Sequence, residues 1–325
     1  MPDSIREMEK ETHRDGDQFR FIEPLFGDDE PDGETPRKYP QAKKRKMGQT
    51  EKLQLKIMDV LEKNPICPPS AIIQHKVWRQ DEDLRFKDFS CKEVKSAIKC
   101  YTDNFTTFTM NEYQEMYNKE GVNPIFSAGY GDFSTYYYNI ENSIAVMDKL
   151  IMYQCYEDED IFNDFMSTLY NVLERKVPKL NCIVIHSPPS AGKNFLFDAI
   201  SDYYINKGHL SNANKWNNFP FQDAEGRRIV LWNEPNYSPE FHDQIKEILG
   251  GDSTCVNVKY QHDTNIYRTP IIVLTNNVVP FMNDDAFNDR LRVFRWRTAP
   301  WLKDYDKKPN PLAVYEIFKK YGYVK

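Results

Sequence analysis

The stretch NCIVIHSPPSAGKNFLFDAISDYY, residues 181–204, limits the possible folds more than any other part of the chain. Residues 182–185 are a near-continuous apolar run. Leu196, Ala199, Ile200 and Tyr203 then recur at helical spacing, and the loop between the two segments ends in Gly192-Lys193. Two further apolar runs, IVLW at 229–232 and IIVLT at 271–275, have the texture of strands buried on both faces of a parallel sheet. After Lys176 such runs alternate with helical segments, so the expected fold class is α/β with a central, mostly parallel sheet.

Strand, loop and helix in that order are the setting of a phosphate cradle. Loop amides and the helix N-terminus face the anion, and a lysine reaches its outer oxygens. Against the pattern G-x-x-x-x-G-K-[ST], Gly192 and Lys193 fit, Ser187 replaces the first glycine, and Asn194 replaces the metal-binding hydroxyl. Nucleotide contacts are therefore expected along Ser187, Pro188, Pro189, Ser190, Ala191, Gly192, Lys193, Asn194 and Phe195. A chance Gly-Lys in a turn is the plain alternative. The second run ends in Asn233-Glu234, where an acid after an apolar strand can serve a metal or polarise water; a surface glutamate after a core strand looks the same. The third ends in Asn276-Asn277, an amide pair able to orient water, and equally good turn chemistry. Three strand ends in sequence order, each carrying a polar group, are more specific than any one alone. Asn194, Asn233 and Glu234 are the candidate Mg²⁺ contacts.

Upstream, three regions are expected. Residues 1–48 read as a disordered tail, because the first 34 carry 12 acids and 4 bases, and Arg37, Lys38 and the run KKRK at 43–46 follow with little apolar surface to offset ordering. That basic run is either a nuclear import signal or a solvated linker. Residues 49–139 read as mainly helical, with helices from Thr50, over 71–79 and over 91–101, while 102–138 resists assignment. Residues 140–325 are the third region, which begins with amphipathic helices over 140–153 and 158–176. A net charge of −6 argues against coating nucleic acid by bulk charge, though not against a local basic surface. Six scattered cysteines suit a reducing compartment, and no apolar run is long enough for a bilayer.

The segments NFPFQDAEGRRIVLWNEPN, IKEILGGDSTCVNVKYQ and RTPIIVLTNN resemble the superfamily 3 helicase domain of parvovirus large non-structural replication proteins, and PPSAGKNFLFD resembles the densovirus branch, with bidnaviruses close by. The resemblance spans roughly 140–296. It implies an AAA+-like phosphate-loop ATPase that assembles into a ring, usually a hexamer. Such a ring hydrolyses ATP with Mg²⁺ and translocates on single-stranded DNA to unwind viral duplex in the host nucleus. Carried over, Lys193 is the phosphate-binding lysine, Glu234 the catalytic carboxylate and Asn276 the sensor amide. Arg290 in NDRLRVFRW matches the arginine finger given to a neighbour's site. A surface ion pair of Arg290 with Asp285 or Asp289 is the alternative. TCVNVKYQHD falls where the family has a channel hairpin, so Lys259, Tyr260 and His262 are candidate DNA contacts, unless Lys259 is a plain solvated residue.

Three features depart from the pattern: Ser187, Asn194 and Asn233. The six histidines include no pair closer than the 20 residues between His242 and His262, so the family's His-hydrophobic-His nicking motif is absent and origin nicking by this chain is not expected. A ring-forming DNA-binding scaffold that binds nucleotide with little turnover is the alternative function. A DNA-packaging or protein-remodelling ATPase is the third class.

Overall fold

The computed structural model describes residues 48–129, 131–260 and 262–325; nearly all of the expected disordered tail, with its basic cluster, lies outside them. The first part is helical: α1 (Gln49–Lys63), α2 (Lys76–Gln80), α3 (Lys92–Asn104), α4 (Met110–Tyr117) and the short α5 (Phe133–Tyr136). Two longer helices follow, α6 (Ile140–Gln154) and α7 (Glu159–Leu173), started by the side chains of Asn139 and Asp158, which accept from first-turn amides.

The single helix expected over 71–79 is two pieces. Residues Pro69–Gln74 form a 3-10 turn, His75 is extended, and its Nδ1 accepts from Val77 N at 3.3 Å to start α2. In the unassigned stretch, α4 begins with a reciprocal Thr109–Glu112 capping box. It buries Met110, Tyr113, Met116 and Tyr117, and the two tyrosine hydroxyls donate to the carbonyls of Tyr204 and Tyr203.

The remaining elements are β1 (Cys182–His186), α8 (Lys193–Tyr203), β2 (Lys207–His209), β3 (Ile229–Asn233), α9 (His242–Gly250), β4 (Thr254–Val256), β5 (Thr264–Ile266), β6 (Ile271–Thr275), β7 (Leu291–Arg295) and α10 (Ala313–Lys320). Five strands form one sheet in the order β2-β3-β6-β1-β7, every pairing parallel. All three apolar runs are central strands of it, as their texture predicts.

The three central strands are buried on both faces, so their alternate side chains enter different cores. Ile183, Ile185, Ile229, Leu231, Ile272 and Leu274 join an apolar cluster with the helices of 49–173, α8 and α10. Cys182, Val184, Val230, Trp232, Ile271 and Val273 join a second cluster with α9, β4 and β5. One helical region and the sheet thus share a continuous core. Among the described residues no helix is long and apolar enough to cross a membrane.

Candidate nucleotide site and hairpin

The C-terminal ends of β1, β3 and β6 lie side by side, since His186 pairs with Thr275 and Asn233 with Leu274. That edge is where open α/β sheets hold ligands. The loop 187–192 leaves β1 there and enters α8, whose first-turn amides have no intrahelical acceptor and favour an anion.

The backbone requires glycine at 192 rather than at 187. Gly192 has φ +85°, and a Cβ on it would stand 2.5 Å from Leu302 Cδ1 and 3.0 Å from Leu150 Cδ2. Ser190 is also left-handed, at φ 60°, whereas Ser187 is not. Ser187 is buried, and its amide is committed to Thr275 O at 3.0 Å while its hydroxyl donates to Pro188 O. Replacement of the pattern's first glycine therefore costs no backbone strain here. Pro188, Pro189 and Ser190 are exposed, Ala191 is buried, and Phe195 is half-buried with its ring 6.4 Å from that of Tyr305.

From behind, the loop is held by residues far away in sequence. Gln154, the last residue of α6, donates to Ala191 O at 2.8 Å and Arg297 O at 2.7 Å, and accepts from Arg297 N. Ala299 N donates to Ser190 O at 3.0 Å.

Lys193, Glu234 and Asn276, identified separately in the sequence, converge. Lys193 Nζ donates to Asn276 Oδ1 at 2.5 Å and lies 3.9 Å from Glu234 Oε1. The Lys193 side chain is 10% exposed, and burial holds its ammonium below the ordinary 10.5 against the pull of Glu234. Glu234 sits at φ 45°, a left-handed conformation that a non-glycine residue adopts only under constraint. Its amide donates to Leu274 O, and both carboxylate oxygens accept from Asn276 N at 3.0 Å.

Thr275, which the sequence reading does not single out, completes this corner with Asn277, the second amide of the pair. Thr275 is 1% exposed, and its hydroxyl donates to Asn277 O at 2.8 Å and accepts from Asn277 N at 3.0 Å, which fixes the turn that carries Asn276. A threonine directly before the amide pair was the available signal. Gln154 gave only a weak one, as a glutamine on a helix face that buries Val146, Met147, Leu150 and Ile151.

Asn194 on the first turn of α8 and Asn233 at the end of β3 are exposed amides at the same sheet edge. With Glu234 they offer oxygen donors and one carboxylate. That set fits Mg²⁺ held largely through its own waters, and no group of three His, Cys, Asp or Glu among the described residues would form a closed cage.

Arg290 belongs to a different neighbourhood. It is half-buried, and its Nη1 donates to Ala286 O at 2.6 Å, while no ion pair to Asp285 or Asp289 occurs among the described residues. The expected hairpin is present as antiparallel β4 and β5, with Thr254 opposite Ile266. Lys259, Tyr260 and His262 are exposed in its loop, Tyr260 by 93%, and Lys259 Nζ lies 5.0 Å above the Tyr260 ring.

Residues 163–291 match the family model described as Parvovirus non-structural protein NS1. The initiator protein NS1 of Junonia coenia densovirus is 39% identical over 275 residues, covering 81% of this chain and 49% of that protein. The NS1 of Diatraea saccharalis densovirus is 38% identical with the same coverage. The chain spans about half the length of the curated relatives it matches. Among solved structures, the JCV helicase is 14% identical over 70% of this chain and 63% of its own, at a TM-score of 0.42.

Proposed function

Because the chain is a relative of the densovirus NS1 initiators and carries a parvovirus NS1 domain, we propose that it is a superfamily 3 helicase, an ATPase that translocates on single-stranded DNA and unwinds duplex in viral genome replication. The observation that carries this reading is the convergence of Lys193, Glu234 and Asn276 beside a loop whose backbone needs Gly192.

In this mechanism Lys193 exchanges its bond to Asn276 for the outer phosphates of ATP, which supply the negative charge its buried ammonium lacks. Asn276 is then free to orient the attacking water, and Glu234 polarises that water. Asn276 N and Asn277 hold the Glu234 carboxylate in place beforehand. Glu234 and the amides of Asn194 and Asn233 would hold a hydrated Mg²⁺, which would supply charge neutralisation on the phosphates. Arg290 serves the site of the next subunit in a homo-oligomeric ring of six. The Lys259–Tyr260 tip supports a single strand by phosphate contact and base stacking, with His262 beside it. Action in the host nucleus, through the basic run at 43–46, is part of the same proposal.

One observation favours a second reading, a ring-forming scaffold that binds nucleotide with little turnover. Glu234 is the sole acid at its strand end, with the amide Asn233 beside it. ATP hydrolysis with Mg²⁺, measured with and without single-stranded DNA beside Lys193→Ala and Glu234→Gln, separates the two. DNA-stimulated turnover that disappears in both variants supports the motor; nucleotide binding without turnover in the parent protein supports the scaffold.

A further inference from the structure

Arg290 sits between two fixed points, one at each end of α9. At the start of α9, His242 Nε2 and Asp284 Oδ2 are 2.9 Å apart, and Tyr237 OH lies 3.2 Å from His242 Nδ1. The His242 ring is 6.0 Å from the Tyr237 ring and meets Phe287 edge-on at 5.3 Å. Asp284 uses its other oxygen to accept from Ala286 N at 2.8 Å, which shapes the turn 284–287. That turn holds Arg290 twice, because Ala286 O accepts from Nη1 at 2.6 Å and Phe287 O accepts from the Arg290 amide at 2.8 Å.

At the far end of α9, Gly250 leaves the space that the arginine stem fills. A Cβ there would come within 2.9 Å of Arg290 Nε and 3.1 Å of Cδ. Gly250 is not left-handed, so alanine would suit its backbone and would raise helix propensity. The three atoms nearest such a Cβ all belong to the Arg290 side chain. Nε itself is buried without a partner, so the position of the guanidinium is set by its Nη1 bond and by packing.

We propose that α9 and the turn 284–287 form a mount for Arg290, in which His242, Asp284 and Gly250 are positioning residues that aim the guanidinium at the adjoining subunit. This rests on the reading of Arg290 as a group acting on a neighbour's nucleotide. The mount also reaches the hairpin, since Gln244 donates to Cys255 O at 2.9 Å and Thr254 donates to Glu247 at 3.2 Å. A helix that bears on the arginine therefore also bears on the hairpin base.

A misaimed trans-acting group leaves a subunit's own loop intact and cripples its neighbour's turnover. His242→Ala and Gly250→Ala should each lower kcat about tenfold to a hundredfold with little change in KM, the effect of a small misplacement at a reacting centre. Each would then be mixed with Lys193→Ala, which cannot turn over but supplies an intact Arg290. Turnover well above either variant alone is the expected result, matching a control mixture of Arg290→Ala with Lys193→Ala. Restoration in the control but in neither test mixture overturns the mount and leaves the ring reading standing. Failure of the control overturns the trans-acting arginine, and the mount with it. Parental kcat in Gly250→Ala, which keeps the His242 contacts, also overturns the proposal.

Discussion

Two cation–carboxylate pairs in this protein are built in opposite ways. Arg228 and Glu174 meet at 2.7 Å with 2% and 4% of their side chains exposed. Each Arg228 side-chain nitrogen and each Glu174 carboxylate oxygen has a partner inside the protein. Arg228 also donates to Phe108 O at 2.7 Å and Leu173 O at 2.8 Å and lies 4.4 Å over the Tyr204 ring, while Glu174 accepts from Tyr204 OH and Met110 N. Lys193 and Glu234 stand 3.9 Å apart, and Glu234 is 45% exposed. The first pair is closed, joining β3 to α7 and the segment before α4. The second is held apart at a sheet edge, with its lysine under-neutralised and its carboxylate open to solvent. Buried charge alone therefore does not mark a site; incomplete satisfaction at an accessible edge does.

The largest expected effect tests the open pair. Lys193→Ala should lower kcat for ATP by about a thousandfold or more, as loss of a key phosphate-stabilising charge does. Its urea midpoint should hold or rise, because a desolvated ammonium is removed. A midpoint as low as that of an Arg228 variant would erase the contrast.

The closed pair should show the reverse. Arg228→Ala leaves Glu174 buried without its partner and should reduce unfolding free energy by about 3–5 kcal/mol, read from urea melts. Replacing both partners, Arg228→Met with Glu174→Leu, sharpens this. The carbonyls of Phe108 and Leu173 still lose a donor, so a deficit of about 1–3 kcal/mol should remain.

Lys259→Ala should act on DNA alone. Single-strand affinity should fall to a similar degree for all sequences, and the salt slope should drop by about one, measured by fluorescence titration at several salt concentrations.

The smallest effect is in pH. Burial holds the Lys193 ammonium below 10.5, so in the free protein the charged form is lost at lower pH than in the unfolded chain. The kcat/KM for ATP should therefore fall along an alkaline limb that begins below 10.5. The sign for stability is opposite. A lysine with a depressed folded pKa disfavours folding while charged, and that penalty lifts as pH rises from its folded pKa toward 10.5. Any stability gap between Lys193→Ala and the parent protein should narrow over that window.

How much was legible beforehand follows from where the information sits. The three central strands could be read because burial on both faces makes each one uniformly apolar, and the residues that follow them form the candidate site. Helix α4 could not, because tyrosines and methionines carry its buried face, and its tyrosine hydroxyls find carbonyl partners only in the folded protein. The break at His75 depends on one ring capping the next helix. Gln154 illustrates the harder limit. Its bond to Ala191 spans 37 residues, and no local pattern encodes it.

That same bond affects how the protein can be cut. The NS1 match ends at residue 291, yet the loop 187–192 leans on Ala299, on Leu302 beneath Gly192 and on Gln154, which also grips Arg297. An expression fragment trimmed to residues 163–291 would keep Lys193, Glu234, Asn276 and Arg290 while discarding α6, nearly all of β7 and the segment after it, where the contacts that buttress the loop lie. Recombinant boundaries should start upstream of Ile140 and run past Leu302, and a tag or fusion joined near 297–302 would interfere with the loop 187–192.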